Sequence, residues 1–216
     1  MFLSIKKIPK TNWSSSKPLN FKPKIITFVY LSIGLALFGL GEGLLIVSTT
    51  GNSPWSVLAE GLSLKTGNSI GVITFLISVF VLSLWYFLKQ KPGVGTLMNI
   101  IIIALMIDIT IDFVDAPSSI FFRYILACFS VLLVGIGSGI YLVANLGPGP
   151  RDGLMTGLTN KTNLPIAIIR AFLEISVVTM GWYLGGTVGI GTLIFALGIG
   201  PAVALGLFLV DKVFNN

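Results

Sequence analysis

"TTGNSPWSVLAEGLSLKTG" (residues 49–67) and "NLGPGPRDGLMTGLTNKTN" (residues 145–163) are two versions of one passage. Laid over each other, Gly51 falls on Gly147, Pro54 on Pro150, Leu58 on Leu154, Gly61-Leu62 on Gly157-Leu158 and Lys65-Thr66 on Lys161-Thr162. The same register, 96 positions without a gap, puts Gly39, Gly41 and Gly43 on Gly135, Gly137 and Gly139. It also puts Gly93, Gly95, Thr96 and Leu97 on Gly189, Gly191, Thr192 and Leu193. Chance agreement between apolar sequences would scatter over Leu, Ile and Val. Here it collects on Gly and Pro, the residues that fix backbone shape. The chain reads as a duplicated unit, and the quoted passage is where each copy breaks.

Around the breaks the chain is built for lipid. Of its 216 residues, 54% are hydrophobic and 10% charged, with a mean hydropathy of +0.95; soluble domains carry about 25% charged residues. Six apolar segments are long enough to cross a bilayer as helices, near 26–49, 68–88, 95–113, 120–145, 164–184 and 190–211. Six lysines (Lys6, Lys7, Lys10, Lys17, Lys22 and Lys24) precede the first of them, with no acid among them. If the spans alternate, Lys89, Lys91, Arg151, Lys161 and Lys212 share the side of that tail, and Lys65 and Arg123 lie opposite. The positive-inside rule then places both termini in the cytoplasm. Residues 1–25, with Pro9, Pro18, Pro23 and the run Ser14–Ser16, read as a disordered basic tail. Its expected neighbour is anionic lipid rather than nucleic acid.

Three spans per unit is an odd number, so the second copy starts from the opposite face of the membrane. The expected fold is an all-α membrane protein of six transmembrane helices. They form two inverted three-helix repeats, 26–113 and 120–212, with an outer linker at 114–119 and a short tail at 213–216. Secondary transporters commonly have this plan, with a site between the repeats near the midplane.

Pro54 and Pro150 suit the first turn of a helix, where a missing N–H costs nothing, and Ser53 is the expected N-cap. The helix after each break has about ten residues, or ~15 Å, half the hydrocarbon thickness. Two readings are open. The short helices lie in the interface, with Arg151 an ordinary inside charge and Asp152 at the favourable end of its helix dipole. Alternatively they dip in from opposite faces, and their free N–H groups bind an anionic or polar group. In the second reading Asn145, Gly147, Gly149, Pro150, Arg151 and Asp152 form the substrate-binding stretch, with Arg151 a bidentate donor. The pairs Gly39/Gly43 and Gly135/Gly139 are small-xxx-small patterns, expected to bring the first and fourth spans together.

Ionisable residues inside spans are costly and mark function by default. Glu42 lies deep in the first span without a local partner. It calls for protonation, pairing with Arg170 or Arg151, or contact with water, and it is a candidate to carry a coupling proton. Arg170 and Glu174, four apart in the fifth span, share a helix face; they form either a self-neutralising pair or part of a site, with Arg170 a candidate ligand for the solute. Asp108 is the deepest acid of the third span. The repeat mates of Glu42, Arg170 and Glu174 are Ser138, Thr74 and Ser78, all neutral, so the charges break the symmetry that the backbone keeps. Trp55, Trp85 and Trp182 fall near span ends, as aromatic belts do. The chain has no histidine and one cysteine, Cys128, expected to be a small packing residue. An internal disulfide, a cysteine-based zinc site and histidine catalysis are excluded; no metal or other cofactor is expected.

The stretches "NLGPGPRDGLMTGL" (145–158), Arg170 with Glu174, "GWYLGGTVGIGTLIFALGIGPAV" (181–203) and "GNSPWSVLAEGLSLKTG" (51–67) resemble the YczE/YitT-like family of bacterial integral membrane proteins. The resemblance runs from the first span onward and implies a bacterial plasma-membrane location. In that family an Asp commonly follows the Pro-Trp of the first break. Here Ser56 stands there, opposite Asp152 in the repeat.

The leading expectation is a secondary transporter or permease of a small polar or anionic solute, not an enzyme. The alternative is a scaffold or accessory subunit of a membrane assembly. Beyond the bilayer and the solute, a second copy of the chain is a conceivable partner.

Overall fold

The computed structural model describes residues 8–215. Eight helices follow in order: α1 (Ile25–Val47), α2 (Pro54–Thr66), α3 (Ile70–Leu84), α4 (Val94–Phe113), α5 (Ile120–Ala144), α6 (Pro150–Thr162), α7 (Ile166–Tyr183) and α8 (Ile190–Phe214). Shifted by 96, α2 falls on α6 end to end, and α3, α4 start where α7, α8 start. Pro54 and Pro150 each occupy the first helical turn, where the lost donor would have had no partner. Gly67 and Asn163, both left-handed, close the two short helices.

Five helices, α1, α4, α5, α7 and α8, are long and apolar enough to cross a membrane. The expected second span, 68–88, is helical only over Ile70–Leu84; α2 and α3 meet at 115°, and counting that bent pair as one span gives up to six. Many large apolar side chains point outward, Phe80, Leu105, Phe129 and Leu197 among them, as a surface bathed in acyl chains requires. Cys128 is one of these outward residues, so it is not the interior packing residue expected of it.

A four-helix core holds the molecule: α1 packs on α5, α5 on α8 and α1 on α4. The remaining helices cross over. α2 packs on α7, and α6 on α3. Glycines set the close crossings, but not as expected. A Cβ on Gly34 or Gly41 would strike α5 backbone, and one on Gly137 would strike α1 backbone. Gly39 and Gly43 instead face α4, and Gly135 and Gly139 face Ala202 and Gly206 of α8. The small-xxx-small pairs thus join the first and last helices of each half, and the intervening face of α1 and α5 makes the crossing between halves. Each face of a helix repeats at three to four residues, so both crossings fit on one helix.

Two reciprocal clasps tie the halves. Gly191 N donates to Thr50 O at 2.8 Å, and Gly95 N donates to Leu146 O at 2.8 Å. Gly51 (φ +120) and Gly147 (φ +109) make the turns that permit this, and a Cβ on either would strike Gly189 or Gly93.

Residues 8–24 of the expected disordered tail are docked. Trp13 is buried against Tyr30 and Phe214, Ser15 N donates to Ala144 O at 3.1 Å, and Thr27 Oγ1 donates to Trp13 O. An indole among lysines has more apolar surface to bury than the composition of the whole tail suggests. Lys6 and Lys7 lie outside the described residues.

Candidate functional site

A cavity of about 330 Å³ opens at the centre, and all eight helices line it. Its walls come in repeat pairs. Pro54 and Pro150, Trp55 and Arg151, Thr74 and Arg170, Ser78 and Glu174, Glu42 and Ser138, and Ile103 and Ile199 all face the same space. The short helices α2 and α6 therefore bring their N-terminal turns to one place. The Arg151 guanidinium carbon lies 5.2 Å from the centre of the Trp55 ring, within cation–π range.

Glu42 is fully buried. Its Oε2 accepts from Ser53 Oγ at 2.6 Å and from Ser56 Oγ at 2.7 Å. Ser53 occupies the N-cap position of α2 but makes no side-chain cap; its hydroxyl is committed to the carboxylate instead. That departs from the expected cap: the hydroxyl is turned to Glu42, and its oxygen accepts from no N–H of the first turn. Among the described residues Glu42 Oε1 has no partner, and neither do the buried Thr74 Oγ1 and Trp55 Nε1.

Around Arg151 the groups are ordered. Asp152 Oδ2 accepts from Tyr141 OH at 2.6 Å. Glu42 and Asp152 face the cavity beside the Arg151 guanidinium. Yet among the described residues the one ion pair within 4 Å is Arg170–Glu174, at 2.8 Å. That pair sits at the edge of the cavity, with the Arg170 side chain 48% exposed.

Of the residues singled out from sequence, Gly149, Pro150, Arg151, Asp152, Arg170, Glu42 and Glu174 line this cavity. Asn145 and Gly147 do not. Asn145 is left-handed at the end of α5 and its Nδ2 donates to Ser15 O at 2.8 Å; Gly147 forms one of the clasps. Asp108 is also elsewhere. It accepts from Ser69 Oγ at 2.5 Å and Gly71 N at 2.7 Å, which fastens the start of α3 to α4. The sequence reading missed Trp55, Ser53, Thr74 and Tyr141 as wall residues, and Ser56 as a donor to Glu42. Trp55 had a signal, since it is the repeat mate of Arg151. It also missed Glu60, whose carboxylate accepts from Asn52, Thr187 N and Thr187 Oγ1 and holds the α7–α8 loop on α2.

Residues 25–206 match a family of unknown function, DUF6198. The chain belongs to this family. An uncharacterised protein of Haemophilus influenzae is 40% identical over 209 residues, covering 97% of this chain and 95% of its own. The uncharacterised membrane protein YczE of Bacillus subtilis is 29% identical, over 80% of this chain and 81% of its own. A third relative, the uncharacterised protein YyaS of the same organism, is 30% identical over 77% and 85%. No solved structure matches the chain. The YczE-like resemblance read from the two breaks therefore holds, and the chain is a membrane protein of that family.

Proposed function

We propose that this DUF6198 protein is a secondary transporter or permease for a small polar or anionic solute, built as two inverted three-helix repeats. One observation carries the reading. Two short helices that cannot cross a bilayer bring their N-terminal turns, with Arg151 stacked on Trp55, to one central cavity. Helix N-termini bear free N–H groups and partial positive charge. Aimed at a cavity between repeats, they are a site for negative or polar groups of a solute.

In this reading a pseudo-two-fold axis runs through the site, which the constant register of α1–α4 and α5–α8 and the repeat-paired cavity walls support. Arg151 and Arg170 hold the solute, and Glu42 and Glu174 orient the arginines or couple protons. Both termini lie in the cytoplasm and the protein sits in the plasma membrane. Alternating access is a rocking of the two halves about the α1–α5 crossing.

Purified protein in sealed vesicles tests this. Uptake of a small polar or anionic solute, lost in Arg170→Ala and Glu42→Gln, supports it. Folded protein that moves no solute, together with a host phenotype unchanged by both substitutions, overturns it in favour of a scaffold.

A further inference from the structure

We propose that the cavity takes a zwitterion: a small solute with one anionic and one cationic group. This rests on the transport reading and names its substrate class. Two charges in the cavity do not meet. Glu42 and Arg151 both face the cavity. Neither has closed on the other, since Arg170–Glu174 is the one ion pair within 4 Å among the described residues. In that outer pair, by contrast, the two groups already neutralise each other.

Glu42 cannot swing to close the gap. Ser53 and Ser56 both donate to Oε2 and fix the carboxylate, leaving Oε1 without a partner in a fully buried residue. Buried polar atoms are rarely left this way without a reason, and a buried carboxylate lacking one of its partners is costly. Thr74 Oγ1, unpartnered and buried, faces the same space. Arg151, stacked on Trp55, makes no side-chain hydrogen bond among the described residues.

A simple anion would satisfy Arg151 and the helix N-termini, and be repelled by Glu42. A simple cation would satisfy Glu42 and be repelled by Arg151. A solute carrying both groups satisfies both, its ammonium on Glu42 Oε1 and Thr74, its acid on Arg151. At about 330 Å³ the cavity lies at the small end of ligand pockets, which limits the skeleton between the two charges.

The test uses the full-length protein with matched probes: alanine, 4-aminobutyrate and glycine betaine as zwitterions, propionate as the anion, ethylamine as the cation. Binding to purified protein and uptake into vesicles are read separately. We expect at least one zwitterion to bind tenfold or more tightly than propionate and ethylamine. Glu42→Gln should abolish that preference while leaving propionate binding unchanged or improved, and Glu42→Asp should restore part of it. Propionate binding as well as every zwitterion, no zwitterion binding, or Glu42→Gln weakening all probes alike would each overturn the proposal. Zwitterion binding without any uptake would instead sink the transport reading and leave this site standing.

Discussion

Two equivalent joints are built with opposite sizes. Where α2 meets α7, Val57 and Leu58 press on Gly181, and a Cβ on Gly181 would lie 2.5 Å from the Leu58 nitrogen. Where α6 meets α3, the glycine is on the other partner. Gly153, the mate of Val57, lies under Trp85, the mate of Gly181, and a Cβ there would sit 1.9 Å from the ring. Trp85 Nε1 also donates to Pro150 O at 3.0 Å, behind the N-terminal turn that presents Arg151. Duplicated backbones can thus diverge in side-chain volume as long as each joint keeps one small partner. The bulky indole thus comes from the first half and backs the charged turn of the second.

A second contrast concerns the last two helices of each half. Asp108 fastens α3 to α4 through Ser69 and Gly71. The mates of these three residues are Ala204, Pro165 and Ala167. None can make the fastening, and α7 has no packing on α8 to match that of α3 on α4. The cavity edge at Arg170 and Gly200 lies in this looser half.

The largest effect should come from the joints. Gly153→Val is expected to destabilise the protein by about 3 kcal/mol or more through overpacking, read as lost thermal stability in detergent. Adding Trp85→Gly should recover much of that loss. Failure of the double variant to recover would break the claim of exchanged volumes.

Next, Arg151→Ala should lower solute binding about 100-fold, as loss of a buried charge from a paired site does. Trp55→Phe should cost roughly tenfold or less, the scale of a cation–π contact. Equal losses at these two mated positions would mean that the charge asymmetry of the halves has no functional weight.

Asp108→Ala should cost about 1–2 kcal/mol, two charge-assisted hydrogen bonds discounted for a membrane setting, with solute affinity little changed. The converse graft, Pro165→Ser with Ala167→Gly and Ala204→Asp, should draw α7 onto α8 and slow uptake. Faster uptake would show that the looser half is not the mobile one. The smallest effect is expected from Thr74→Val, a loss of two- to fivefold in affinity, since an unpartnered hydroxyl in the wall gives up one weak ligand contact.

Backbone-level features were readable from the sequence. The Gly-Pro register located both breaks and both short helices, because Gly and Pro act locally on φ and ψ. The ionisable set Glu42, Arg170 and Glu174 was readable too, since a charge in an apolar run stands out. What escaped were contacts between residues far apart in the chain. Ser53 looked like a cap because local chemistry favours one, and only the approach of α1 turns its hydroxyl to Glu42 instead. Asp108 looked like a buried functional acid until Ser69 and Gly71 were brought to it. Trp13 sat in a lysine-rich tail whose average composition hid one residue's affinity for Tyr30 and Phe214. Gly39 and Gly135 carried the right spacing for close packing, but spacing does not say which neighbour a helix face meets.

The clasps have an evolutionary corollary. Thr50 needs Gly191 and Leu146 needs Gly95, so each copy supplies the socket for the other and neither closes on itself. On the proposed repeat architecture, a half-length ancestor would have worked as two molecules embracing each other. Severing the peptide chain between α4 and α5 and producing the two pieces together should still give one assembly, whereas either piece produced by itself should be degraded.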